Sequence, residues 1–258
     1  MNIMKKALIA SAFFVSSLFA SSFYQPLLAS DCIPAGPSER VKVKYAVDGD
    51  TVKLVDGRSV RLIGVNTPEL HANKNPEPGS IEAKLALKAW VEGKEVELIY
   101  GEEPKDRYNR VLGYLVQQGE TLSQRLISEG LGWAISIPPN DAIAPCLFAA
   151  ESKPQAARTG LWSAPERRAS SINSGGFAVV VGSVTRIDRS KKYTYIDLDR
   201  QLAVRVANEL VSELHVTQGD RVQVRGWMID RRKSLKEGSK FSPFLLPLSD
   251  KHHFQIVK

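Results

Sequence analysis

Residues 41–65 read VKVKYAVDGDTVKLVDGRSVRLIGV, short runs of alternating apolar and polar residues parted by Asp-Gly pairs. Alternation with period two puts every second side chain on one face of an extended strand, and Asp-Gly favours tight reversals between antiparallel neighbours. VKVKYAV (41–47) is expected as one strand, and VKLVDGRSVRLI (52–63) as a hairpin with Asp56-Gly57 as its two-residue turn. A helix is expected over about Ile81–Glu92, with Ser80 available as N-cap and Gly93 as its stop. KEVELIY (94–100) and VLGYLV (111–116) read as further strands. Thr121 and Gln124 have capping-box spacing, and Leu122, Leu126 and Ile127 share one face of a helix that ends at Gly130. A last helix is expected from about Asp141 to Arg158, before Gly160 and Leu161-Trp162. Short strands followed by helices predict a small β-barrel with helices packed on it and disfavour a doubly wound α/β sheet.

A second unit follows. SAPERRASSINSGG (163–176) is rich in Ser, Pro, Gly and charge and has no apolar period. The chain is therefore divided into a first domain over 40–163, a linker over 164–176 and a second domain over 177–258. The second domain offers FAVVVGSVTRI, YTYIDL, LAVRVA, RVQVRGWMI and HHFQIVK, five strand-like segments around a helical or loop segment at 208–215. That pattern predicts a second small OB-like β-barrel. The fold class is thus mainly β with α, and no sequence repeat relates the two units.

The start of the chain has a different purpose. MNIMKKALIASAFFVSSLFA sets Lys5 and Lys6 before an apolar run and small residues, the pattern of an export signal peptide. Residues 1–29 are assigned to it, with the cut before Ser30 or alternatively near Ala20–Ser22. Ser16, Ser17, Ser21 and Ser22 break the apolar run before the ~20 residues a spanning helix needs. The mature protein is expected to be secreted or periplasmic, not inserted in a membrane after signal cleavage, and monomeric. Two cysteines, Cys32 and Cys146, suit one disulfide in an oxidising compartment; two free buried thiols are the other reading. They are too few and too far apart for a zinc site, and His71, His215, His252 and His253 have no ligand spacing. The formal charge is +7, and residues 173–258 hold 15 Lys and Arg against 9 Asp and Glu. Residues 31–172 are close to balanced, with 18 against 19. Basic asymmetry of this kind points to a polyanionic partner or simply to a solvated surface.

Three polar clusters interrupt the strands of the first unit. In VDGDT, residues 47–51, a second carboxylate, Asp50, follows the Asp-Gly turn, which turn geometry alone does not require. In RLIGVNTPE, residues 61–69, Pro68 holds Thr67 extended, ends the strand and directs Glu69 out of the ladder. In KDRYNR, residues 105–110, Arg107, Tyr108 and Arg110 sit on a loop that enters a strand. Each cluster alone is a turn, a strand end or a charged loop. Together they supply oxygen ligands for a hard cation, a spare carboxylate and guanidinium forks that match phosphate oxygens. This is the equipment of phosphodiester hydrolysis.

VDGDTVKL, RLIGVNTPE, DRYNRVLGYL, ISEGLGWA and GLW, in that order, resemble the thermonuclease (staphylococcal nuclease-like) family over about residues 42–163. The resemblance implies an OB-type five-stranded barrel with three helices, and cleavage of DNA and RNA with Ca2+ to leave 3′-phosphate ends. It implies that Asp50 is the carboxylate metal ligand and that Thr67 offers its main-chain carbonyl to the same ion. Asn66 stands where the family usually has a second aspartate ligand, which leaves the site one negative charge short. Glu69 corresponds to the general base, Arg61 and Arg110 to the two arginines that bind the phosphate in the transition state. Tyr108 lies where the family has a tyrosine near the terminal phosphate, with Arg107 in place of a lysine. Ser136 and Pro138 lie near positions that carry an aromatic pair in the best-known members.

The last domain more loosely resembles the OB-like nucleic-acid-binding domains that follow some exported thermonucleases. Tyr193, Tyr195, Trp227 and Phe241 offer a base-stacking surface there, or pack in the core. DNA or RNA is the expected partner. The rival reading is an inactive member that holds nucleic acid without cutting it, with Asn66 as its support.

Overall fold

The computed structural model describes residues 32–70, 75–236 and 238–257; the expected signal peptide at 1–29 and His71 lie outside the described residues. The first half of the described chain is built on eight strands. These are β1 (Ser38–Ala46), β2 (Thr51–Leu54), β3 (Ser59–Leu62), β4 (Val65–Asn66), β5 (Glu95–Lys105), β6 (Val111–Gln117), β7 (Glu120–Thr121) and β8 (Trp133–Ala134). The order β3-β2-β1-β5-β6 closes into a five-stranded barrel because β3 also pairs with β6, in parallel, at Val60↔Val111 and Arg61↔Leu112. Three helices pack on it: α1 (Ser80–Val91), α2 (Leu122–Ser128) and α3 (Ala144–Ala157). Alternation places Val43, Val52, Leu54, Val60, Leu62 and Leu98 inside, where Leu87 of α1, Leu126 of α2 and Leu147 of α3 meet them. Each such side chain contributes about 1.5–3 kcal/mol on full burial.

Local chemistry shifts three expected boundaries. The β2–β3 connection is Val55–Arg58, two residues longer than expected: Leu54 N donates to Arg58 O, and Gly57 takes φ +94°. A type I turn followed by a left-handed glycine joins strands as well as the two-residue reversal does. Helix α1 is capped by Gly79 rather than Ser80. Gly79 sits at φ +89°, and a Cβ there would come within 2.5 Å of Leu161 Cδ2, while the Ser80 hydroxyl donates to Glu77 O. Helix α3 begins at Ala144, not Asp141, with Pro145 in its first turn, where a missing N–H costs nothing. Cys32 and Cys146 are joined in a disulfide with Cα atoms 5.6 Å apart and 114 residues between them in sequence number.

The second half repeats the connectivity of the first without repeating its sequence. Its strands are β9 (Gly176–Arg189), β10 (Tyr193–Leu198), β11 (Leu202–Ala207), β12 (Arg221–Asp230), β13 (Phe244–Pro247) and β14 (Phe254–Ile256), with a short helix α4 (Asn208–Val211) after β11. The ring runs β13-β11-β10-β9-β12 and closes between β12 and β13, with β11 and β13 parallel as β3 and β6 are. The fifth ring strand is thus β13, which the sequence did not suggest. FLLP is a continuous apolar run ending in proline, with no alternation to mark it. The segment HHFQIVK, expected to complete the barrel, supplies β14, which pairs with β12 outside the ring. Within the stretch expected as a linker, Ala169 and Ile172 are buried in the second core, and Arg167 O accepts from Val181 N.

The two barrels meet through polar groups as well as rings. Arg225 of β12 reaches across to Glu151 of α3, donating to both carboxylate oxygens at 2.8 and 2.6 Å and to Ala134 O at 3.0 Å. Ala134 N donates to the same carboxylate. The buried Ser136 donates its N–H to His253 Nε2 and its hydroxyl to Asp250, while Ser249 donates to Ser136 O. Beside them, the ring of Trp133 lies 5.4 Å from Phe177, and Phe148 lies 5.2 Å from His252.

Candidate functional site

The first barrel gathers most of the expected residues at one place. The turn after β1 lifts Asp50 to the end of β2, and the antiparallel register Thr51↔Arg61 brings Arg61 alongside. The short β4 then carries Asn66 and Thr67 back over the same point, held by β8 at Val65↔Ala134 and Asn66↔Trp133. Asp50, Asn66 and Thr67 are buried. Asp50 Oδ2 accepts from Thr67 N at 2.9 Å and from Thr67 Oγ1 at 3.0 Å, and forms an ion pair with Arg61 Nη2 at 3.0 Å. Thr51 Oγ1 donates to Asp50 Oδ1 at 3.2 Å.

Arg61 faces inward. Its Nη1 donates to the carbonyls of Leu62 and Val65 at 2.7 and 2.8 Å, and its Nη2 to Asn66 Oδ1 at 3.2 Å besides Asp50. A guanidinium has five N–H donors. Three hydrogen bonds and one ion pair therefore commit Nη1 and Nη2 to the protein, and Nε has no protein partner among these contacts. The Asn66 amide is shared in the same way: its oxygen meets Arg61, and its Nδ2 donates to Thr67 O at 3.4 Å.

Glu69 stands exposed at the rim, past the buried Pro68. Its backbone is locked to Glu77, with Glu69 N donating to Glu77 Oε2 and Glu77 N to Glu69 O. Burial of its inner edge, then the charges of Asp50 and Asp48, push the Glu69 carboxyl above its ordinary value, with Arg61 working against them. Asp48 is raised too, by burial first and by Asp50 second. Asp48 and Glu77 were not expected among the working residues. Asp48 was visible in VDGDT as a turn residue; Glu77 meets Glu69 from eight residues on, a pairing with no local sequence mark.

The third cluster forms its own group. Arg110 Nε donates to Asp106 Oδ2 at 2.7 Å, and Asp106 Oδ1 accepts from Arg110 N and Tyr108 N. Burial works to raise the Asp106 carboxyl, yet Arg110 and these backbone donors hold it below its ordinary value. Arg107 donates to the Tyr108 hydroxyl and lies 4.8 Å over the Tyr108 ring, which is 65% exposed. The parallel register Arg61↔Leu112 sets Arg110 two residues before the partner of Arg61, on the same side of the ladder. The structure thus joins Asp50, Arg61, Asn66 and Thr67 by direct bonds, and Glu69 to them by charge. It sets Arg107, Tyr108 and Arg110 on the adjacent strand entry, without a bond to the first group in the bonds described.

Among the described residues, no three His, Cys, Asp or Glu side chains stand close enough to hold an ion by themselves. A cation here would draw on neutral oxygens as well, the Asn66 amide and the Thr67 carbonyl. The donor set is all oxygen, and Asp48 and Glu69 are raised partly by the charge on Asp50. A hard divalent cation relieves that crowding, so the residues fit one.

Comparison with known proteins matches residues 59–164 to the family described as Staphylococcal nuclease homologue. The thermonuclease of Staphylococcus intermedius is 36% identical over 128 residues, covering 48% of this chain and 76% of that protein. The thermonuclease of Staphylococcus hyicus is 33% identical over 126 residues, covering 47% and 75%. Endonuclease YncB of Bacillus subtilis (strain 168) is 31% identical over 96 residues, covering 35% and 46%.

Proposed function

Because the chain belongs to the staphylococcal nuclease family, we propose that it is an exported, calcium-dependent nuclease that hydrolyses DNA and RNA to 3′-phosphate ends. The observation that carries the reading is the bonded group Asp50–Arg61–Asn66–Thr67 with the raised Glu69 carboxyl at its rim. Asp50, Asn66 Oδ1 and the Thr67 carbonyl would hold the ion. When bound, calcium supplies a counter-charge to a phosphate oxygen that no side chain here replaces.

The chain's own groups do the rest. Glu69 takes a proton from water as the water oxygen bonds to phosphorus, and a raised carboxyl is the better base for that task. The P–O5′ bond breaks, the departing 5′ oxygen takes up a proton, and the phosphate stays on the 3′ side. Arg61 and Arg110 offset the negative charge that builds on the phosphoryl oxygens. For Arg61 to offer its full fork, Nη2 must leave Asp50 and Asn66; until then it presents only Nε. Arg107 and Tyr108, at the exposed strand entry, are positioned for the flanking phosphate. The Cys32–Cys146 disulfide supports a secreted or periplasmic setting, since such bonds persist where the surroundings oxidise. No helix among the described residues is long and apolar enough to cross a membrane, and the protein is taken to act as a monomer.

Plasmid DNA and RNA incubated with purified protein, with calcium or with chelator, test the reading. Cleavage with calcium only, products ending in 3′-phosphate, and loss of cutting but not of binding in Glu69→Gln are the expected results. Binding without cutting by the wild type under every condition would leave the rival, an inactive nucleic-acid-binding protein.

A further inference from the structure

The second barrel has a cavity that the hydrolytic site does not explain. It measures about 410 Å³ and is lined by residues that include Arg186, Arg189, Tyr195, Asp197, Arg231 and Phe241. That size falls within the roughly 300–1,000 Å³ of small-molecule sites. Of the four aromatics expected as a stacking surface, only two are here. Tyr193 lies under Arg205 at 5.0 Å, and Trp227 packs on Phe177 at 5.0 Å, whereas Tyr195 and Phe241 both face the cavity.

Its floor is built in advance. Buried Asp197 accepts from Arg186 Nε at 2.7 Å and from Ser242 Oγ at 2.6 Å, and Arg186 Nη2 donates to Lys240 O at 3.2 Å. These bonds tie the β12–β13 connection, residues 231–243, down onto β9 and β10. Ser242 and Phe244 are buried, while Phe241, just before them, is 54% exposed. Both acids of the lining, Asp188 and Asp197, are engaged by Arg186. The remaining charge is positive. Arg189 is exposed, with no side-chain partner among the described residues. Arg231 donates Nη2 to Ser242 O at 2.6 Å, but its Nε is buried without a partner. Burial also lowers its pKa. A buried unpaired donor on a cation costs stability that an anionic acceptor would restore.

An aromatic pair with unspent guanidinium donors suits a ligand that is planar at one end and anionic at the other. We propose that this cavity binds a nucleoside phosphate, its base against Tyr195 and Phe241 and its phosphate on Arg189 and Arg231. The choice of nucleotide over another planar anion rests on the nuclease reading; the geometry of the site does not. Two sources share this chemistry, a free mononucleotide and one unit of a single strand.

The test uses the full chain carrying Glu69→Gln, so that no ligand is cut, in chelator. Adenosine 3′-phosphate, an eight-residue oligothymidylate and inorganic phosphate are titrated calorimetrically into this protein and into the same protein with Phe241→Ala or Arg189→Ala. Both added substitutions are at exposed side chains, and unchanged melting confirms that the barrel is intact. Each should weaken nucleotide binding about tenfold, and inorganic phosphate at equal concentration should not displace the nucleotide. Variant-sensitive binding of both adenosine 3′-phosphate and the oligomer identifies the free unit as sufficient; sensitivity with the oligomer alone identifies the strand. Equal affinity in all three proteins, or displacement by phosphate as effective as by nucleotide, overturns the proposal. In the Glu69 background, Phe241→Ala and Arg189→Ala alone should leave hydrolysis of a short reporter unchanged. If the wild type cuts nothing and the variants still lose binding, the nuclease reading fails and this site stands.

Discussion

Among the described residues, two arginine–carboxylate pairs are largely withdrawn from solvent, and their surroundings differ. Arg61 meets Asp50 at 3.0 Å with side chains 13% and 8% exposed; Arg225 meets Glu151 at 2.6 Å with 5% and 3%. Around Arg225 the surroundings are the rings of Phe148 and Trp162 at 5.0 and 5.8 Å and the N–H and C=O of Ala134. One cation answers one anion, and both carboxylate oxygens accept hydrogen bonds. Burial raises the carboxyl on both sides of the comparison, at Glu151 as at Asp48 and Glu69, but at Glu151 the next largest influence is the opposing charge of Arg225, whereas at Asp48 and Glu69 it is the like charge of Asp50. Burial of a pair therefore says little about its purpose. The leftover charge says more: the closed pair joins two barrels, and the open one has the excess acid that the proposed nuclease reading assigns to a cation.

The largest expected effect breaks the closed pair. Arg225→Ala strands Glu151 in the junction and should cost about 3–5 kcal/mol in denaturant unfolding, with cleavage of short substrates kept per folded molecule. A loss below about 1 kcal/mol, the range of an exposed pair, would mean the junction is wet and the contrast false. Next comes the open pair. Arg61→Ala should lower turnover at least ~10²-fold with a smaller loss of stability, and Arg110→Ala should do likewise; near-wild-type cleavage removes that arginine from the mechanism. A milder change sharpens the charge argument. Asn66→Asp restores a carboxylate and should lower the calcium concentration for half-maximal cleavage several-fold, whereas Asp50→Asn should raise it or abolish activity. An unchanged midpoint in Asn66→Asp would leave residue 66 as a partner of Arg61 only.

The smallest effect concerns pH at the junction. Burial, then the Arg225 charge, lower His253 from 6.5 to about 4. The unfolded chain takes the proton first, so this contribution is present above about pH 6.5 and is lost as pH falls toward 4. His253→Gln should flatten the stability profile in that window. The same slope in both proteins would assign it to the carboxylates instead.

The sequence disclosed the first barrel and its polar clusters because their signals are local. Alternation, Asp-Gly turns and Pro68 act within a few residues, and Asp50, Arg61, Asn66 and Thr67 lie on or next to three consecutive strands. What escaped it was set by distant partners. Glu77 meets Glu69 from eight residues on, β13 has no period, and Glu151 finds Arg225 from 74 residues away. Ser136 is the most instructive case. The resemblance showed an aromatic position given to a small polar residue and left its purpose unread, since the groups that bond it, Ser249, Asp250 and His253, belong to the other barrel. The inward turn of Arg61 was equally hidden. The resemblance assigned it to the phosphate but could not say that two backbone carbonyls would hold half of its fork.

The bond between Cys32 and Cys146 turns the first barrel into a covalent ring. Closing a loop of that length removes roughly 4–5 kcal/mol of freedom from the unfolded chain in the entropic view. It also changes what a protease can do. One cut anywhere between the two cysteines opens the ring without dividing the molecule, and the second barrel stays tethered through α3. A chain nicked in this way should run as one band on a denaturing gel until thiol is added, and as two afterwards. The protein can lose the continuity of its backbone once within that ring and remain a single piece.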